Sequence, residues 1–189
     1  MLYKTLSVPL VSGFLLFASE GVGAEKRHAE SHVHGMAEIN IVVEGKRVVV
    51  EFHTPTEGLM GFEHEAKTDT EKKKHDAGMK IVKERFNELI IFDKQSACKS
   101  DSATARIVRR EDHDTKDKTH GAENRKISGE HSELQAVYQF ECDRSPLGTK
   151  VTFGVSKLFP EIHEIKVQVL TDTKQTGVTI KNDKGNVGL

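Results

Sequence analysis

The chain has 189 residues, with 28 Lys and Arg against 29 Asp and Glu for a formal net charge of −1. That balance excludes general electrostatic binding to DNA or RNA, which needs a basic footprint. A hydrophobic content of 36% suits one domain with a modest core and some polar segments, and ten histidines against no Trp and two Tyr are the compositional oddity.

Residues 1–24 read as a secretory signal: Lys4 is the positive start, an apolar stretch runs from Leu6 to Ala18, and small residues end at Val22-Gly23-Ala24. The apolar stretch is too short and interrupted for a membrane span, and no cysteine stands near Ala24 to carry a lipid. The expectation is export to the periplasm with no membrane anchor after cleavage, leaving residues 25–189 as a single domain. Alternating apolar residues at Ala37, Ile39, Ile41 and Val43, and again at Val48, Val50 and Phe52, predict a β-hairpin with one buried face. Pro55 ends its second strand, and the two glycines of 57–64 mark a loop. Thr68 three residues before Glu71 is a capping-box pattern. It opens a helix predicted to run to about Ile91, with Met79, Val82, Phe86, Leu89 and Ile90 as its apolar stripe.

Strands are predicted near Ala103–Arg109 and Leu134–Glu141. Between them, residues 111–129 are almost free of apolar side chains, as expected of a polar, mobile excursion. Cys98 and Cys142 are the only cysteines, and in an oxidising compartment they are expected to pair. Closing a loop of that length stabilises a fold by ~4 kcal/mol in the chain-entropy model, and the bridge is expected to tie the roots of the two strands that flank the polar excursion. Further strands are predicted near Glu164–Leu170 and Gly177–Lys181. The fold class is therefore α+β: a mostly antiparallel sheet with one main amphipathic helix on one face.

Zinc takes neutral imidazoles and carboxylates, usually four in all. His32 and His34, two apart in an extended chain, would point to one side about 6.6 Å apart. If the first strand runs back through them without a bulge at Gly35, they continue the outer row of Glu38, across the hairpin from His53. The predicted metal ligands are thus His32, His34 and His53, completed by Glu38 or by His64 from the nearby loop. His113, His120 and His131 form a second, looser set in and beside the polar excursion. His28, His75 and His163 have no assigned role.

The residues His32-x-His34-Gly35-x-Ala37-Glu38, Gly61-Phe62-Glu63-His64 with Lys67-Thr68-Asp69, the two cysteines, and Leu158-Phe159-Pro160 ahead of a strand occur together in this order. In that combination, over about Ser31 to Ile180, the chain resembles the ZrgA family of zinc-regulated bacterial periplasmic proteins. The resemblance implies a periplasmic protein that binds Zn(II) and assists zinc acquisition, with an ABC-type importer as the expected recipient. Family members often carry a longer His- and Asp-packed insertion than this chain has, which weighs against high-capacity loading. Affinity is expected to fall as pH drops through the range where imidazole is protonated. Two other readings stand beside it: a secreted zinc-dependent hydrolase, for which no His-Glu-x-x-His helix is present, and an exported interaction domain binding another divalent metal such as copper or nickel.

Overall fold

A computed structural model describes residues 34–110 and 131–189. The alternating segments form β1 (Met36–Glu44) and β2 (Arg47–Pro55), paired antiparallel from Glu38↔His53 to Glu44↔Arg47. One face of the hairpin is buried, with Ile39, Val48 and Val50 fully enclosed, and Glu38 and Glu51 on the other face are exposed. This is the pleat's period of two dividing apolar from polar residues. β5 (His131–Cys142) pairs with β2, β4 (Cys98–Arg110) with β5, and β7 (Glu164–Leu170) with both β1 and β8 (Gln175–Lys181). The resulting six-stranded sheet has the order β4-β5-β2-β1-β7-β8. All its pairs are antiparallel except β1 with β7.

The single-turn helix α1 (Glu57–Met60) follows β2, and α2 (Asp69–Glu84) carries the amphipathic stripe. Its capping box forms as the spacing predicts: the Glu71 backbone N–H donates to Thr68 Oγ1, and the Thr68 N–H donates to the Glu71 carboxylate. The helix does not reach Ile91. It stops at Arg85, a new turn α3 (Phe86–Leu89) begins, and the chain becomes strand β3 (Ile90–Phe92). The break lets Phe86 enter the core, stacked on Tyr138 with ring centroids 5.0 Å apart, while the Arg85 guanidinium pairs with the Glu88 carboxylate through two bonds of 2.7 Å. Phe86, Leu89 and Ile90 keep helical spacing across the break, so periodicity alone could not show it.

β3 joins β6 (Lys150–Phe153) and β9 (Asn186–Gly188) in a small antiparallel sheet, order β3-β6-β9, and the short helix α4 (Val155–Leu158) follows β6. This sheet and α2 and α3 together cover the inner face of the large sheet, where one helix alone was expected. Leu89, Ile90, Val151 and Val155 from this layer are enclosed with Tyr138, Phe140 and Ile165 of the sheet. Tyr138 donates its hydroxyl to the Val82 carbonyl at 3.1 Å, fastening α2 to β5, and burial pushes its phenol pKa well up.

Cys98 and Cys142 are bonded, as expected of an exported chain. They sit opposite each other at one end of the β4/β5 ladder, whereas the polar segment leaves and returns at the other end, where Arg110 pairs with His131. The bridge thus ties the roots of the two strands, as expected, with the full β4/β5 ladder between it and the polar segment.

Candidate metal centre

Among the described residues, one set of three His or carboxylate side chains gathers its ligand atoms within 4.8 Å of one another: His34, Glu57 and Glu63. Each arrives by a separate local device. His34 precedes Gly35, whose φ of +77° turns the chain into β1, and the Gly35 carbonyl accepts from the N–H groups of His163 and Glu164 at 3.0 and 3.2 Å. The strand thus begins at Met36. His34 leaves the outer row predicted for it and faces Glu57 instead, its Nδ1 against the Glu57 carboxylate.

Glu57 opens α1, and Glu63 follows the left-handed Gly61 that ends it. This segment is clamped to β5 by two buried hydroxyls. Thr56 Oγ1 and Ser132 Oγ lie 2.6 Å apart, the Thr56 N–H donates to the Ser132 carbonyl at 3.0 Å, and Ser132 Oγ donates to the Glu63 carbonyl. His131, next to Ser132, places its Nδ1 against the Glu63 carboxylate.

Two carboxylates balance the charge of a dication, and imidazoles complete a nitrogen and oxygen set that zinc accepts. Donors on a tetrahedral zinc ion sit about 3.3 Å apart, so Glu63 must draw in by at most about 1.5 Å while His34 and Glu57, already in contact, move slightly apart. His34, at 69% exposure, is free to do so. Glu57 Oε2 is shut off from water and makes no hydrogen bond; what faces it is His34 Nδ1. A buried carboxylate oxygen is costly unless a donor or cation satisfies it; here a ring nitrogen that can itself bind metal stands at that place, and the pairing fits a metal ion.

The other predicted ligands stand elsewhere. Glu38 and His53 face each other across β1 and β2 as expected, but His53 contacts Glu133 and Glu51. His64 stacks on Phe62, donates from Nδ1 to the Glu65 carbonyl at 2.9 Å, and sets Nε2 3.8 Å from Glu71. The Glu71 carboxyl is held below its ordinary value by the backbone N–H groups of Thr68 and Lys67. His64 therefore serves the entrance of α2, and it shares a cleft of ≈ 450 Å³ with His75, Thr56 and Ser132. His32, His113 and His120 lie outside the described residues. Neither Glu57 nor Glu63 was foreseen as a ligand. The faint signal was Thr56 ahead of Glu57, a helix-start residue just after a strand-ending proline.

Gly35 is the position on which His34 depends. A Cβ there would run into the His163 ring, and the left-handed φ is strained for any L side chain. Gly35→Ala is expected to cost about 1–3 kcal/mol in thermal unfolding and to weaken zinc binding by displacing His34. Calorimetry at a temperature where the variant is folded separates the two effects.

A family model described as ZrgA family zinc uptake protein matches residues 31–189. Among curated proteins, none matches the chain.

Proposed function

Because the chain belongs to the ZrgA family of zinc uptake proteins, we propose that it captures Zn(II) as cargo at His34, Glu57 and Glu63, with His131 as fourth donor. The observation that carries this reading is the gathering of an imidazole and two carboxylates, with ligand atoms within 4.8 Å of one another. Half-exposed ligands suit a carrier, which must release what it binds: His34 and His131 are 69% and 49% exposed, and an acceptor protein can replace them one at a time. The signal-like sequence of residues 1–24 supports a periplasmic setting, and an ABC-type importer is the recipient that suits an uptake role. Binding rather than catalysis is favoured because nothing in the group stands apart from the ligands as a general base.

The test is X-ray absorption at the zinc edge on protein loaded with one equivalent of Zn(II). The expected spectrum has about four nitrogen and oxygen neighbours at about 2.0–2.1 Å, with imidazole scattering and no sulfur. Failure to retain zinc through gel filtration overturns the reading, as does a shell without imidazole.

A further inference from the structure

We infer that the cleft between α2, β4 and the loop leading into α2 binds a small di- or tricarboxylate. The site goes beyond zinc binding, uses none of the proposed zinc ligands and does not depend on them. The cleft measures ≈ 450 Å³, within the range of about 300–1,000 Å³ for small-molecule sites. Thr56, Met60 and Ser132 are its buried lining residues, and the two hydroxyls are fixed against each other at 2.6 Å.

Charge decides the ligand class. α2 supplies Lys72 and β4 supplies Arg109, so the two cations of the cleft come from different elements. The Lys72 ammonium makes no ion pair among the described residues. Glu65 is the one carboxylate among the described lining residues, and it stands 3.4 Å from Arg109, with both side chains more than half exposed. An exposed pair of this kind is weak, and it engages one nitrogen of a guanidinium that has five N–H donors. The Glu71 carboxylate beside the cleft is already held by the Lys67 and Thr68 N–H groups at 2.8 and 2.9 Å. Two cations against one weakly held countercharge leave the cleft positive, and its concave wall focuses that field on a bound anion.

The rest of the lining selects among anions. Met60, Ala66 and Ile107 are apolar, and the Phe62 ring is stacked on His64 with centroids 5.1 Å apart. A molecule with charged ends on a short methylene backbone fills both kinds of surface, whereas an inorganic anion leaves the apolar part wet. The loop presents Phe62 and His64 to the cleft, while Glu63 between them joins His34 and Glu57. Carboxylate ligand and zinc ion would therefore occupy two faces of one loop.

The experiment titrates the purified, metal-free protein with citrate and with succinate by calorimetry at low ionic strength, so that chelation of zinc contributes no heat. Saturable one-to-one binding is expected for both, tighter for citrate. Lys72→Gln and Arg109→Gln are each expected to weaken citrate about 10-fold, the loss of one charge-assisted contact, with melting curves unchanged because both side chains are exposed. Lys83→Gln, on the same helix but outside the cleft, is expected to stay within about 2-fold. Zinc affinity of the two cleft variants is expected to stay within about 3-fold of wild type, so the cleft and the zinc site can fail separately. Absence of saturable binding overturns the inference, as does binding that survives unchanged in both cleft variants. Sulfate binding as tight as citrate overturns it too, since the cleft then selects charge alone. Binding of a tetraglutamate peptide without binding of citrate overturns it in favour of a groove for acidic chain segments.

Discussion

Glu57→Gln is expected to lower zinc affinity by about 100-fold, the upper end of what outer ligand-supporting groups cost and a floor for a direct ligand. Glutamine keeps the volume and removes the charge. The dication would then meet one carboxylate instead of two in a site where Glu57 Oε2 is already shut off from water. In the metal-free protein the effect should be the opposite of a structural loss. Glu57 and Glu63 place carboxylate oxygens within 4.8 Å of each other, so removing one charge relieves repulsion. The apo melting temperature is therefore expected to hold or rise slightly, while the stabilisation that zinc confers on wild type disappears. Scanning calorimetry with and without Zn²⁺ reads both. A variant with wild-type zinc stabilisation removes Glu57 from the site, and His34→Ala run beside it tells whether the group acts as one.

Phe140→Ala is expected to destabilise the fold by about 3–5 kcal/mol, the range for deleting a buried aromatic side chain. Phe140 is 1% exposed and sits edge-on to Phe92 at 4.8 Å and to Phe86 at 5.9 Å. It is the ring where the large sheet, α3 and the small sheet meet, so its loss opens a cavity that three elements would have to shift to fill. Urea unfolding of the metal-free protein measures the loss. Zinc affinity of the fraction that remains folded should match wild type, because Phe140 lies nine residues along β5 from His131. A cost below about 1 kcal/mol would mean that the layers collapse onto each other without it.

These two residues differ in how far the sequence announces them. Phe140 belongs to the alternating row Leu134, Ala136, Tyr138 and Phe140, and each of these is buried as the period of two requires. The β1/β2 hairpin, the capping box at Thr68 and the strands beginning near Glu164 and Gly177 were legible in the same way, because each rests on a pattern several residues long. The small sheet was not. Ile90–Phe92 and Asn186–Gly188 are three residues each, too short to display alternation, and β3 follows directly on a helix-spaced stripe. The parallel pairing of β1 with β7 is a contact between distant segments that no local pattern encodes.

For the proposed metal ligands, the chain by itself pointed to the chemistry: an excess of histidine with carboxylates nearby, a His-x-His pair before the first strand, and a family resemblance that the match over residues 31–189 bears out. Tertiary structure alone decided the partners. Whether His34 joins the outer sheet row or turns to Glu57 rests on one backbone angle at Gly35, and its carboxylate partners are held by the Thr56 and Ser132 clamp between segments 76 residues apart. Residue type sets which atoms can hold an ion. A metal site also needs those atoms within a few ångströms of one point, and that condition is met only by the folding of distant segments together.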